Sequence, residues 1–273
     1  MDYPQYASIS LPTIGSLDMQ CYYTDTSRVY PAKTYPIHLH DLIEIYVLEE
    51  GGVSFMVEKH LYHMSAGDAL ITKPNEMHNC ILNSTSRHAH YCFWFRPSSD
   101  TLFADFLKRD SGVGNLITPP DGERAAFLGA CHRLYDCAEG ESDPLTSLAA
   151  ATDVLVSLRR WLPTESRHEP LPTLLQTLLQ DIEENATRIR ALSYFRDKYF
   201  ISGSTLDRLF RRHLGTSPKM YIETKKLSHA CRLLREGRSV TDACLEAGFS
   251  DYSNFIRLFR ARFGKTPMQY KRT

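Results

Sequence analysis

The sequence predicts a multidomain chain of mixed α and β class: a strand-built barrel with appended helices in front, and an all-α part with two helix-turn-helix units behind. Three observations predict it. The length of 273 residues exceeds what one average domain holds. The hydrophobic rhythm turns from alternating to helical near residue 100. The carboxyl-terminal part repeats itself at an offset of 49.

Composition narrows the class. Apolar residues make up 42% and charged ones 23%, ordinary globular usage that excludes a disordered or fibrous chain. No apolar run approaches the roughly 18 residues that cross a bilayer. The opening Met1-Asp2-Tyr3-Pro4-Gln5 has neither the basic stretch nor the apolar core of a signal peptide. The seven cysteines (Cys21, Cys80, Cys92, Cys131, Cys137, Cys231 and Cys244) are odd in number and contain no C-x-x-C, which fits free thiols in a reducing cytoplasm. A cytoplasmic location and no membrane partner are expected.

The net charge of zero hides an asymmetry. Residues 1–170 carry 13 basic and 22 acidic side chains, whereas residues 171–273 carry 19 and 10. A basic back half is expected where a chain meets a polyanion, although two opposite halves also attract each other.

The strands come first. Runs such as Ile43–Leu48, Val53–Val57, Ala69–Thr72 and His90–Phe95 are separated by Gly51-Gly52, Gly67-Asp68 and Pro74-Asn75, and short strands at this spacing predict a closed or sandwiched β-fold over about 15–97. Helices follow over about 100–162. Segments near 121–138 and 144–162 carry apolar residues at three- and four-residue steps, among them Leu148, Val154, Leu155, Leu158 and Trp161. The polar, proline-bounded stretch 163–172 reads as a linker between a front part, 1–162, and a helical part, 173–273.

In that last part Leu206, Arg208, Leu209, Phe210, Arg211, Leu214, Gly215, Pro218 and Tyr221 recur as Phe255, Arg257, Leu258, Phe259, Arg260, Phe263, Gly264, Pro267 and Tyr270. Upstream the offset becomes 48, pairing Leu192 with Val240 and Ser202 with Ser250. Each copy is a short helix, a turn and a second helix ended by Gly. In the second helices the apolar residues form one stripe. The opposite face carries Ser204, Asp207, Arg208 and Arg211 in one copy, and Tyr252, Ser253, Ile256, Arg257 and Arg260 in the other. Short polar groups let a backbone approach a major groove, Arg binds guanine bidentately, and neighbouring cations neutralise phosphates. In one hairpin such arginines would read as groups facing water. Two copies, joined by a helix near Lys219–Leu234 and set in the basic half, point to duplex DNA.

The run from Leu192 to Tyr270, notably Arg238 through Gly248 to Phe255 and Phe259 through Gly264 and Pro267 to Tyr270, resembles the AraC/XylS family of bacterial transcription regulators. The resemblance implies two helix-turn-helix units, at about 192–213 and 240–262, reading adjacent major grooves on one DNA face. It gives the recognition role to the nine exposed positions just named. The sequence departs from the family at Arg196, where a small residue is usual and the second copy has Cys244. A cation there either loosens the first unit or swings out to a phosphate.

In the front half, His38, His40 and Glu44 have even spacing, so on one strand they project from one face. His78 follows a later strand and turn. Two His, a carboxylate and a third His are able to hold Zn²⁺, Fe²⁺ or Mn²⁺ with open positions. The pattern resembles the two cupin motifs. The first matches in full; the second has Pro74-Asn75-Glu76 where a Gly is expected before the His. Cupins include metal-dependent enzymes, and the sensor domains of AraC-type regulators look cupin-like too. Three readings stay open: a divalent metal on His38, His40, Glu44 and His78; hydrogen-bonded histidines with no ligand; or a polar effector pocket completed by Tyr46, Trp94 and Tyr35, whose rings would stack on a sugar. Tyr22-Tyr23 and the first 15 residues read as an arm.

The expectation is a sequence-specific DNA-binding regulator, not an enzyme and without catalytic residues. Its cupin-like barrel senses a small molecule, a sugar among the candidates, and controls promoter binding or activation. The helices at about 121–162 would pair it into a homodimer, and RNA polymerase is a candidate partner. The rival is a metal-dependent cupin enzyme fused to a DNA-binding tail.

Overall fold

A computed structural model describes residues 7–9, 19–26, 37–83, 87–95, 104–140, 142–163 and 170–271. The strands are β1 (Ala7–Ile9), β2 (Met19–Thr26), β3 (Ile43–Glu50), β4 (Val53–Val57), β5 (His60–Met64), β6 (Ala69–Thr72), β7 (His78–Leu82), β8 (His88–Phe95) and β9 (Leu116–Ile117). Among the described residues they form two antiparallel sheets, one of six strands in the order β1-β2-β8-β3-β6-β9 and one of three in the order β5-β4-β7. An isolated bridge between His38 and His78 lies outside the named strands.

The sheets face each other, and their facing side chains form one core: Tyr46, Leu48, Leu70 and Cys92 from the larger sheet meet Val53, Phe55, Tyr62 and Cys80 from the smaller. Both outer faces are covered as well. Ile43, Ile45, Val47, Tyr91 and Phe93 pack under helices α2 (Arg124–Glu139) and α3 (Pro144–Arg160). Met56, Leu61 and Met77 pack under the carboxyl-terminal helices. Burial on both faces is why β3 is apolar from Ile43 to Leu48 apart from Glu44, before it ends on the less buried Glu49 and Glu50.

Three expectations change here. Tyr22 and Tyr23 belong to β2, which pairs with β8 along its length, so they are sheet residues and not an arm. Strands also occur beyond 15–97: β1 pairs β2, and β9 pairs β6 at the sheet edge. The stripe of α3 (Ala151, Val154, Leu155, Leu158) is buried against the barrel and α2, so that face is spent within the chain. Tyr35, residues 10–15 and most of the stretch 163–172 lie outside the described residues.

The rest is helical: α4 (Thr173–Asn185), α5 (Ser193–Tyr199), α6 (Gly203–Leu214), α7 (Pro218–Arg235), α8 (Val240–Glu246), α9 (Tyr252–Phe263) and α10 (Pro267–Lys271), with α1 (Ala104–Leu107) following the last long strand. Local chemistry sets these boundaries. Ser202, Ser217, Ser239 and Asp251 cap α6, α7, α8 and α9 by accepting a backbone N–H three residues on. Gly215 and Gly264 end α6 and α9 in the left-handed region that glycine adopts freely. Among the described residues no helix is long and apolar enough to cross a membrane.

Candidate functional site

Helices α5 and α6 make one helix-turn-helix unit, α8 and α9 the other, and α7 joins them. Each second helix is seated by its stripe: Leu206, Phe210 and Leu214 are buried in the first, Phe255 and Phe259 in the second. The opposite faces reach solvent. Ser204, Arg208, Arg211, Tyr252, Ser253, Arg257 and Arg260 are exposed, whereas Asp207 and Ile256 are half-buried. Ile256 leans on the core of its own unit, so it offers less surface than its neighbours. Asp207 accepts from Arg211 Nε at 2.6 Å, and Asn254 accepts from Arg257 at 2.7 Å. These contacts tie both guanidiniums to a residue one turn back on their own helix.

The turns differ between copies. Phe200 and Gly248 occupy equivalent positions and both have positive φ. A side chain on Gly248 would strike the Thr187 carbonyl, so only glycine fits there, while Phe200 stands 91% exposed. Arg196 also lies outward, paired with Asp197 at 3.0 Å, and Phe195 fills the core instead. The cation therefore leaves the packing of the first unit intact.

The second constellation lies inside the barrel. His38, His40, Glu44 and His78 bring one ligand atom each to within 4.8 Å of one another. They do not share a strand: the chain bends at Asp41-Leu42, and Glu44 is the second residue of β3. Glu44 is the hub. One of its oxygens accepts from Trp94 Nε1 at 2.7 Å and lies 2.8 Å from His40 Nε2. His78 Nε2 faces the same oxygen at 3.4 Å, fully buried and without a hydrogen bond. Burial would push the Glu44 carboxyl up, but His40 and His78 opposite hold it well below the usual carboxylate range. His40 Nδ1 and His78 Nδ1 donate to the carbonyls of Leu42 (3.1 Å) and Glu76 (2.8 Å), which only accept, so each ring turns Nε2 toward Glu44.

Tyr46 and Trp94, the aromatic members expected around a pocket, lie on this inner face and are engaged by other rings. Tyr46 stacks on His90 with centroids 4.4 Å apart, and Trp94 stacks on Tyr22 at 5.0 Å. Sequence reasoning missed His88 and His90. His88 Nε2 meets Tyr46 OH at 2.8 Å and His90 Nε2 meets Tyr22 OH at 3.1 Å. The alternation His88, His90, Cys92, Trp94 along one strand was the available signal.

The two constellations touch through the segment just before β3. Ile37 and Leu39 are buried, the first in a core shared with α4–α7 and the second in the core of the second helix-turn-helix unit. Arg262 donates to Ile37 O at 2.8 Å, and Lys265 pairs with Asp41 at 2.8 Å.

The family described as "AraC-like ligand binding domain" matches residues 26–155, and "Helix-turn-helix domain" matches residues 197–273. The chain is 25% identical over 252 residues to the HTH-type transcriptional activator RhaS of Escherichia coli (strain K12 / DH10B), covering 87% of each. Among solved structures, ToxT from Vibrio cholerae aligns over 93% of this chain and 97% of its own, at 10% identity and a TM-score of 0.38.

Proposed function

As a member of the AraC family of DNA-binding transcription regulators, with a ligand-binding barrel joined to two helix-turn-helix units, this chain has a regulatory and not an enzymatic role, and we propose that α6 and α9 are the helices that enter DNA. Ser204, Asp207, Arg208 and Arg211 read one major groove. Tyr252, Ser253, Arg257 and Arg260, with Ile256 at the margin, read the next. The observation that carries this reading is the repeat itself: two capped, core-seated helices at one spacing present arginines to solvent at equivalent positions, Arg208 with Arg257 and Arg211 with Arg260.

The front part, 1–162, is the effector-reading part, 163–172 the linker and 173–273 the DNA-binding part. The effector is read on the inner face formed by His38, His40, Glu44, Tyr46, His78 and Trp94. The output is transcription activation in the cytoplasm, supported by the activator to which the chain is similar. Activation brings RNA polymerase in as a partner. A homodimer would use a face other than the buried stripe of α3.

Selection of the full chain against a pool of randomised duplexes tests the reading. It should recover two half-sites about one helical turn, roughly 10 base pairs, apart. Binding to that site should fall steeply with salt as phosphate counterions are released. Arg257→Ala should cost about 1–3 kcal/mol and relax preference in one half-site only. Unchanged affinity and unchanged preference in that variant would overturn the assignment of α9.

A further inference from the structure

We propose that Phe200, in the turn before α6, reads a base: its ring packs on the C5-methyl group of a thymine just outside the first half-site, on the side away from the second. This rests on the reading that α6 enters a major groove, and it adds a residue and a base pair that the arginine-bearing face does not account for.

Among the described residues, Glu58, Asn75 and Phe200 are the residues other than glycine with left-handed backbone. Bulky side chains are rare there, because Cβ crowds the neighbouring carbonyl. Two of the three are held from outside. Glu58 O accepts from Tyr221, and its carboxylate pairs with Lys225 and accepts from Met77 N. Asn75 is hydrogen-bonded to Tyr270 through its side chain and to Ser228 through its carbonyl. At Phe200 the backbone bond that closes α5, from its N–H to Arg196 O at 2.9 Å, is all that stands in their place among the described residues. Its ring touches no core and is the most exposed large apolar side chain described, at 91%. A φ of 56° suits glycine, and water suits a polar group, so neither the turn nor the core selects phenylalanine. Strain of this kind, with nothing inside the fold to maintain it, marks a functional contact.

Position names the partner. Phe200 stands two residues before Ser202, the cap of α6, and the amino end of a recognition helix is the end that meets base edges. Arg196, one turn back on α5, is exposed and offers a cation for a phosphate beside the ring. The chain between them and the recognition face is slender. Ser202 and Ser204 are short and exposed, and a Cβ on Gly203 would meet nothing within 4 Å. A phenyl ring neither donates nor accepts a strong hydrogen bond, so on the major-groove edge its match is the thymine methyl. The second copy shows which way the turn faces. Gly248 holds the equivalent place, and a side chain there would strike Thr187, between α4 and α5, so the turn of the second unit faces the first. Two units set in successive grooves in the same sense keep that direction. The turn of the first unit then faces away from the second, toward base pairs beyond the reach of α6.

The test uses the full chain and the duplex it selects, with binding read by fluorescence anisotropy. Each thymine in and beside the first half-site is replaced singly by deoxyuridine, which lacks only the C5-methyl group. At one thymine outside that half-site, on the side away from the second, the swap should weaken binding about fourfold, as for one buried methyl group. Phe200→Gly should weaken binding to the unsubstituted duplex by the same factor and be indifferent to the swap. Its salt dependence should match that of the unaltered chain, since no phosphate contact is lost. Its Tm should be no lower, because glycine relieves the turn, so the lost affinity reads the side chain and not the fold. Phe200→Asn, which also tolerates that backbone, is the second variant and should bind like Phe200→Gly. Unchanged binding by both variants overturns the proposal. So does a uracil penalty that survives in both, since another residue would then read the methyl. A loss equal on every sequence would put the ring on the sugar–phosphate backbone, and a loss seen only when two chains share one duplex would put it on a second copy; either overturns base reading. The placement of α6 is tested separately by Arg208→Ala, which should relax preference inside the first half-site. If it does not, α6 is misplaced whatever the flanking thymine shows.

Discussion

Tyr221 and Tyr270, equivalent in the two copies of the repeat, each send a hydroxyl into the barrel. Tyr221 donates to Glu58 O at 3.2 Å, and Tyr270 is hydrogen-bonded to the Asn75 amide at 2.7 Å. Both receiving residues have left-handed backbone, φ 55° at Glu58 and 63° at Asn75. Such turns are tolerated where their surroundings over-determine them. The duplication thus carries a repeated attachment to the barrel as well as a repeated face for DNA.

Removing either hydroxyl should loosen one attachment. Tyr221→Phe and Tyr270→Phe should each lower stability by about 1 kcal/mol in urea unfolding. The double variant should show the sum within a few tenths of a kcal/mol, as for separate sites. No loss in either variant would mean that the hydroxyls do not hold the two parts together.

Lys225 of α7 pairs with Glu58 and Glu183 in a nearly closed setting. Burial would lower the ammonium, but the carboxylates raise it, so it stays charged. Lys225→Met strands the buried Glu58 carboxylate and should cost about 3–5 kcal/mol. Adding Glu58→Gln should recover most of that loss, measured by chemical denaturation of both variants.

Gly248 has φ +84°, and a Cβ there would meet the Thr187 backbone. Gly248→Ala should destabilise the chain by more than about 1 kcal/mol, from backbone strain plus the clash. Gly203→Ala is the control, since nothing lies within 4 Å of the added carbon. It should shift Tm little or upward, because alanine is the better helix former.

Acid should weaken the barrel through His90. Burial, chiefly, and the neighbouring His88 lower its pKa to about 3, against about 6.5 in an unfolded chain. Tyr22, Tyr46 and His88 face the ring, with Glu44 farther off acting in the opposite sense. Below about pH 6.5 the unfolded state binds the extra proton, so this contribution is whole above that pH and is lost toward pH 3, by up to about 1.4 kcal/mol per unit. Urea midpoints of chelated protein at pH 7.5 and 5 should fall, and His90→Gln should reduce the drop.

Much was legible before any coordinates. The change of rhythm near residue 100 separates strands from helices because each element advertises the period of its buried face. The repeat placed Arg208 and Arg257 outward because Leu206 and Phe210, with Phe255 and Phe259, must face in. His38, His40 and Glu44 could be grouped by even spacing, although the bend at Asp41-Leu42 breaks the strand that the spacing assumed. What one chain's pattern does not carry is which apolar stripe meets which. The stripe of α3 serves self-pairing or docking equally well as a string of letters; only the folded chain sets it against the barrel. The same holds for Ile37 and Leu39, for the stacking of Tyr46 on His90, and for the reach of Tyr270 to Asn75. Local period fixes which side of an element is apolar, but partners far apart in sequence are chosen by close packing among all elements at once.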